Sequence, residues 1–411
     1  MIAIFFRNLF RDLVRQPLRT VLTLSGVVWG TFSVVLLLAF GVSVSKAQIK
    51  RFHGMGEAIV LIFPSQTTLP WQGFLRGKAV RVTPEVVEAI PEKVPGVELM
   101  SPEFVGSRII RYGRNEFRDT VRGVNPQFEL MRNTIAAKGR FIDPEDMAAR
   151  KRVCFIGDVL ATDLFGTEEP VGRPVFIDSV PFTVVGVMRT KLQSSNYNGQ
   201  RDERCAFIPW TTYASLYGAK YVSNIIFRPR DPGRSKAVME DVKAHLAKLI
   251  GFSQADPDAL GVWDTLEFEK QFTTFFLAFT VFLGVIGTFT LLVGGVGVAS
   301  IMRVVVDERT REIGVKLAVG ARRRTILWQF FSESLVIMLL GGLIGLGLSA
   351  AVLQATKAFP AGGFTDFVGV PRLDPVVIAA TVLILLAIGV IAGMIPARTA
   401  ASTDPIEALR K

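Results

Sequence analysis

Side chains able to do covalent or metal chemistry are scarce in this chain. Among 411 residues there are two histidines, His53 and His245, and two cysteines, Cys154 and Cys205. No H-E-x-x-H zinc signature, C-x-x-C pair or G-x-S-x-G elbow occurs. Gly77-Lys78 lacks both the upstream glycine and the following Ser or Thr of a Walker A loop. Zinc hydrolysis, thiol redox chemistry, serine hydrolysis and P-loop nucleotide binding therefore find no residues here, and no catalytic residue, metal ligand or cofactor is expected. If ATP drives this protein, another chain must bind it. Aromatic residues interleaved with a basic patch are missing too, which excludes single-strand nucleic-acid binding despite 47 Lys and Arg against 36 Asp and Glu.

Charge itself is missing over long stretches. Residues 20–45, 271–302 and 375–397 carry none, and 325–356 carry only Glu333. Each run exceeds the roughly 20 apolar residues that cross ~30 Å of hydrocarbon. Peptide groups there have no water to bind, so each run is expected to be a transmembrane helix. The first is too long for a secretory signal and lacks a small-residue cleavage site, so it is read as retained. Half the residues are hydrophobic, yet a fifth are charged. That mixture fits a membrane part plus a large water-exposed part.

The charges have a side. Arg7, Arg11, Arg15 and Arg19 precede the first span against Asp12. Arg303, Arg309, Arg311, Lys316, Arg322, Arg323 and Arg324 lie between the second and third spans against Asp307, Glu308 and Glu312. Lys357 and Arg372 between the last two spans are balanced by Asp366 and Asp374. The positive-inside rule places both termini and the 303–324 link in the cytoplasm, and the 46–270 domain outside a cell (inner or cytoplasmic) membrane. Residues 1–19 are expected as a basic amphipathic helix in the membrane interface, acting as an anchor or as a partner surface. Residues 357–374 form a short outer loop and 398–411 a cytoplasmic tail.

The fold class is thus an α-helical membrane protein with four spans. A large extracytoplasmic α+β domain of two lobes is inserted between the first and second. Strands are expected at 58–63, 97–111, 116–124 and 222–227, with a turn at Gly113. A short helix should open at Thr83-Pro84-Glu85 and end before Pro91. Another should run 235–250, with Val238, Val242, Leu246 and Leu249 inward and Gly251 as its stop. The second lobe, about 140–220, holds an internal echo. Phe155-Ile156-Gly157 leads to Leu164-Phe165-Gly166 as Phe207-Ile208-Pro209 leads to Leu216-Tyr217-Gly218. Duplication and chance both explain it. Cys154 and Cys205 stand before those two strands, as buried thiols or as a disulfide.

Within the spans, Gly341, Gly345 and Ser349 form a small-residue ladder, and Gly294, Gly295 and Gly297 slim the second span; close packing or mobility accounts for them. Glu333 is an intramembrane charge, either functional or paired at the interface with Arg322 to Arg324. The second span is over-long. Its helix should continue outward through 266–271 as a stalk, with Phe268, Phe272, Phe275 and Phe276 at helical spacing, matched by 44–52 after the first span. Such a pair is a lever. Residues 307–320 read as a short helix, too polar to span and too apolar at Ile313, Val315, Leu317 and Val319 to be a solvated loop, so a partner groove is expected to cover it.

The run Glu308-Arg309-Thr310-Arg311-Glu312-Ile313-Gly314, then Gly320-Ala321-Arg322, then Gln329-Phe330 with Glu333, resembles the MacB/FtsX-like ABC transporter permeases. So do Gly294-Gly295-Val296-Gly297, Pro396-Ala397-Arg398 and Asp404-Pro405-Ile406-Glu407-Ala408-Leu409-Arg410, and the first-span opening at 15–30. Val121-Arg122-Gly123-Val124, Gly139-Arg140, Ile156-Gly157 and Leu164-Phe165-Gly166 resemble the family's periplasmic core domain. The resemblance implies a homodimeric permease (membrane) subunit with no enzyme activity of its own. ATP and Mg would be bound by a separate cytoplasmic ABC ATPase. It implies mechanotransmission through the stalk for export or efflux, with a periplasmic membrane-fusion adaptor and an outer-membrane channel as further partners beside membrane lipid. Carried over, Glu308, Arg309, Arg311, Glu312, Ile313, Gly314, Lys316, Gly320 and Ala321 form a coupling helix that docks the ATPase, with the tail helix nearby. The same lever would serve a signalling subunit that activates a cell-wall hydrolase, or lipoprotein extraction. Ser300 and Arg303 depart from the family's usual asparagine and apolar residue.

Overall fold

Backbone hydrogen bonding inside an apolar run has only one local solution, and four helices dominate the computed structural model, which describes residues 17–54, 56–193, 196–197, 199–358 and 369–410. In chain order the first elements are α1 (Pro17–His53), β1 (Val60–Pro64), α2 (Pro84–Lys93), β2 (Val97–Tyr112), β3 (Asn115–Val124), α3 (Phe128–Met131) and β4 (Ala136–Gly139). There follow α4 (Pro144–Ala148), β5 (Val153–Ile156), α5 (Asp158–Phe165), β6 (Pro174–Ile177), β7 (Val180–Met188), β8 (Cys205–Pro209), α6 (Trp210–Tyr217), β9 (Asn224–Pro229), α7 (Ser235–Ile250) and β10 (Leu260–Asp264). The chain then enters α8 (Thr265–Glu308), α9 (Thr310–Ala318), α10 (Arg323–Ala355), α11 (Pro375–Ala401) and α12 (Pro405–Arg410). Two compact units result: a sheet unit of residues 48–272, and a helical unit of the residues up to 47 and from 273 onward.

In the helical unit, α1, α8, α10 and α11 are each long and apolar enough to cross a membrane. Their contacts run through small residues. A Cβ on Gly294 would sit 2.6 Å from the carbonyl oxygen of Gly26, and one on Gly30 would sit 2.8 Å from Leu291 Cα, so α1 and α8 meet backbone to backbone. The ladder on α10 faces α1: a Cβ on Gly345 would stand 2.7 Å from Val28 O, and one on Gly341 2.8 Å from Val27 Cγ1. Ser349 is buried in the same row. Gly295 abuts Ile388 of α11. Gly297 differs from its neighbours, since a side chain there would meet nothing. It helps line an apolar groove of about 530 Å³ between α1 and α8, with Leu22, Trp29, Phe289 and Val293. The basic segment expected over 1–19 lies almost wholly outside the described residues.

In the sheet unit the strands follow the order β10-β1-β9-β2-β3-β8-β5-β7-β4, with β6 paired to β2 and β7. The pairing is mixed: β3–β8 and β5–β7 are parallel, the others antiparallel. Along β1, β5, β8 and β9 both faces are covered, which is why those strands are almost continuously apolar rather than alternating. Val60, Ile62, Cys154, Ile156, Ala206, Ile208, Ile225 and Phe227 point into one core, together with α2, α5 and α7. Ile59, Leu61, Phe155, Cys205, Phe207 and Ile226 point into the other, with Phe128 and Met131 of α3. Where two lobes were expected, the strands form one sheet. Sixteen-residue β2 pairs β9 with its first half and β3 with its second.

Several expectations meet the structure here. Strand–helix–glycine occurs twice, at β5–α5–Gly166 and β8–α6–Gly218, and the two strands pair as Phe155↔Phe207. Cys154 and Cys205 are buried free thiols. They cannot bridge, because they project from opposite faces of the sheet. The helix opened by Thr83 runs through Pro91 to Lys93 rather than ending before it, and the Thr83 hydroxyl makes no cap. Proline in a last turn forfeits a single bond and is tolerated there. Along α7, Val238, Val242 and Leu246 are buried but Leu249 is 56% exposed; Ala247 takes the inward position instead.

One carboxylate ties the loop after β1 to the segment before β10. Asp256 Oδ2 accepts from the Thr68 and Leu69 amides at 2.8 Å each, and Oδ1 accepts from the Thr68 hydroxyl at 2.8 Å. Burial alone would raise its pKa, yet these bonds hold it down, from an ordinary 3.8 to about 2. A depressed folded pKa means stabilisation that is present above about pH 4 and lost as pH falls towards 2. Asp256→Asn should therefore lower the melting temperature at pH 6, at a cost of about 2 kcal/mol. The gap to the parent should close between pH 4 and pH 2, followed by Trp fluorescence of the detergent-purified protein. In the helical unit, Gly345→Leu should lower thermal stability by several degrees by forcing α10 off α1, whereas Gly297→Ala should leave it unchanged.

Candidate functional site

The polar end of the helical unit concentrates the exposed charge of the membrane part. α8 continues to Glu308, so Asp307 and Glu308 belong to its last turn and not to the short helix expected over 307–320. That helix, α9, begins at Thr310 and carries Glu312 in its first turn and Lys316 in its last, the arrangement its dipole favours. It ends in a Schellman motif. Gly320 has φ +98°, its amide donates to Leu317 O at 3.0 Å, and the Ala321 amide donates to Lys316 O at 2.9 Å.

α9 has two faces. Ile313, 2% exposed, and Gly314 point inward, Ile313 joining Val306, Ile326, Phe330 and Ala400 in the helical unit's core. Expected among the ATPase contacts, both are buried within the helical unit and set the helix in place. Arg311, Glu312, Val315, Lys316, Ala318, Val319 and Gly320 are the exposed ones, and Val319 is 85% exposed. Lys316 Nζ reaches Gln329 Oε1 on α10 at 3.4 Å. α12 packs against α9, burying Ala408 and presenting Ile406 to solvent. Asp404 caps α12, accepting from the Ile406 amide at 2.8 Å.

Behind α9, Arg309 Nη1 lies 3.9 Å from Glu333 Oε1. Of the two expected readings of Glu333, a functional charge or an interface pair, the second named Arg322 to Arg324. They begin α10, nine to eleven residues away, which is about 14–16 Å along the axis. Arg309 reaches Glu333 instead because it closes the turn between α8 and α9.

The stalk residues divide between the units. Within the sheet unit, the ends of α1 and α8 are zipped together: Phe52 stacks on Phe268 with centroids 5.3 Å apart, Phe272 follows at 4.8 Å, and Trp263 meets Phe268 edge-on. His53 Nε2 stands 3.0 Å from Glu269 Oε1. In the helical unit Phe275 is exposed, while Phe276 packs on Val44. Among the described residues no cluster of metal-binding side chains occurs.

A buried charge network in the sheet unit was not anticipated. Arg122 Nη1 on β3 donates to Glu103 Oε1 at 2.7 Å and to the Tyr197 hydroxyl at 2.8 Å. Arg132 Nη2 donates to both carboxylate oxygens of Asp202, and Lys191 Nζ donates to Oδ2 at 2.7 Å. Burial would raise Asp202, but Arg132, Lys191 and Arg122 hold it well below its ordinary range; burial lowers Lys191 to about 8. The network pins the segment before β8 to the sheet. Its one sequence signal is an arginine inside an apolar strand at Val121-Arg122-Gly123-Val124.

Introducing a charge separates the two faces of α9. Ile313→Asp should destabilise the helical unit by about 3 kcal/mol or more and expose the 305–325 region to protease. Val319→Asp should change neither, as measured by thermal melting and limited proteolysis.

Known proteins share this arrangement in sequence. Residues 20–245 match the MacB-like periplasmic core domain, and residues 284–405 match the FtsX-like permease C-terminal domain. The macrolide export ATP-binding/permease protein MacB of Wolinella succinogenes is 33% identical over 97% of this chain and 59% of its own length. Its counterpart in Azoarcus sp. is 34% identical over 98% of this chain and 58% of its own. The chain thus spans about six-tenths of the length of the curated relatives it matches. A crystal structure of the periplasmic region of MacB from Actinobacillus actinomycetemcomitans aligns with 55% of this chain and 97% of that one, at 17% identity and a TM-score of 0.43. With family models matched over residues 20–245 and 284–405 and four membrane-length helices, the chain belongs to the MacB/FtsX-like ABC transporter permease family, as a multi-pass protein of the inner membrane.

Proposed function

We propose that this chain is the membrane subunit of an ABC exporter, working as a homodimer that converts ATP-driven motion into movement of its sheet unit. The observation that carries the reading is α9. It is a polar helix, closed at its C-terminus by the Schellman turn, whose inward face is anchored by Ile313 and whose outward face offers Val315 and Val319 among Arg311, Glu312 and Lys316. Exposed valines flanked by charges of both signs suit a groove on a partner protein. The partner is a cytoplasmic ABC ATPase, with ATP and Mg held there. Ile406 on α12 widens the same face.

The groove between α1 and α8 and the exposed apolar faces beside it supply the dimer contact. Motion passes along the helices whose ends are zipped by Phe52, Phe268 and the His53–Glu269 contact. In this reading both termini and α9 are cytoplasmic and the sheet unit is extracytoplasmic, as the arginine-rich link requires. The relatives' printed role, macrolide export, favours export over signalling to a cell-wall hydrolase or lipoprotein extraction; an adaptor and an outer-membrane channel complete an export route.

The test is co-purification. Glu312→Arg combined with Lys316→Glu, or Val319→Asp alone, should reduce recovery of the cognate ATPase at least ten-fold from detergent-solubilised membranes. Membrane insertion should stay unchanged in both, and melting temperature should stay unchanged with Val319→Asp. Full recovery of the ATPase with these variants would refute the docking role of α9.

A further inference from the structure

The residues between β1 and α2 form a second, separate surface. Positions 65–81 fold back as a hairpin: Gln66 bridges Ala79, the Thr67 amide donates to Lys78 O at 2.9 Å, and the Val80 amide to Ser65 O at 2.8 Å. At its tip Trp71 and Phe74 exchange backbone hydrogen bonds of 3.0 and 2.9 Å across Gln72 and Gly73. Both central residues have positive φ, +45° and +85°, the conformation of a tight two-residue turn. The hairpin leaves β1 at its Pro64–Leu260 end, one strand length from Asp264 and the first turn of α8.

This loop is built, not slack. Asp256 grips Thr68 and Leu69 as described. On the other arm Lys78 Nζ donates to the carbonyls of Ile250 and Gly251 at 2.7 and 3.0 Å, and lies 3.6 Å above the Phe74 ring. What the scaffold presents is apolar and wasteful to leave in water. Leu75 is 81% exposed, and Leu69, Trp71 and Phe74 are exposed beside it. Large apolar side chains held outward by a rigid turn are the anchors that protein interfaces use, because little conformational entropy remains to be lost on binding.

The charges point to the kind of partner. Residues 65–81 contain Arg76, Lys78 and Arg81 and no acid. Lys78 is occupied by two carbonyls and an aromatic face, and Arg81 lies over Tyr221. That leaves too few outward cations to hold an anionic lipid surface, which takes clusters of about four to eight. Arg76, next to Leu75 at the tip, is instead placed as a rim charge around an apolar anchor.

We propose that the hairpin tip, residues 69–76, docks a separate protein that offers an apolar pocket rimmed by carboxylates. The proposal concerns the sheet unit alone and stands whether or not α9 binds an ATPase. To test it, a photo-crosslinking amino acid replaces Leu75 in the full-length chain in its native membrane, and adducts are identified by mass spectrometry. The expected adduct is one defined protein other than this chain, absent when Arg76→Glu is added. That protein, purified, should bind the detergent-purified parent chain at least ten-fold more tightly than the Leu75→Asp or Arg76→Glu variants. Affinity should fall with added salt, and replacing an acid on its rim with lysine should restore binding to Arg76→Glu. Unchanged melting temperatures would show that the variants fold. An adduct between two copies of this chain, an adduct with lipid, no adduct, or a protein adduct indifferent to Arg76→Glu would each overturn the proposal.

Discussion

A peptide group in hydrocarbon must find its hydrogen-bond partner within its own helix, and nearly everything else in the helical unit follows from that constraint. With backbones already satisfied and lipid as apolar as leucine, burial of apolar surface cannot hold the helices together. Close contact has to do it, so the backbones approach wherever glycine permits. Gly26 against Gly294, Gly30 against Leu291 and Gly345 against Val28 are the same solution used three times. Each removes a side chain to let a wall of atoms touch another wall.

The sheet unit obeys the opposite rule. Water surrounds it, burial of apolar surface is available, and a mixed sheet covered on both faces uses it twice. The consequence appears in the strands: Val60 and Ile62 serve one core while Ile59 and Leu61 serve the other. It also settles the cysteines, since Cys154 and Cys205 enter different cores and are offset in the β5–β8 register. Where the sheet admits charge, as at Arg122, it surrounds it with Glu103, Tyr197 and Asp202, because an unpaired guanidinium there would cost several kcal/mol.

The two surfaces singled out above share a construction. α9 is set by a buried isoleucine and a Schellman turn; the 65–81 hairpin is set by Asp256 and Lys78. In both, a few inward groups fix the backbone so that exposed apolar residues hold one orientation. The division between the units falls within α1 and α8, not in loops.

Hydropathy and the glycine stops made much of this legible in advance. The four long helices, α7 with Gly251, the β2–β3 turn at Gly113 and the repeated strand–helix–glycine unit are local patterns, dictated by neighbours along the chain. What the linear order left open was decided by contacts between distant residues. One-dimensional pattern could not choose which face of α9 turns inward, and so could not separate Ile313 from Val319. It could not assign Glu333 to Arg309, because that pairing depends on the turn between α8 and α9. Nor did it join the expected lobes, since only pairing along the full length of β2 makes them one sheet. Spacing along the chain determines where elements begin and end, but which side of each is buried is set by packing among elements, and the exposed apolar faces are what that packing leaves uncovered.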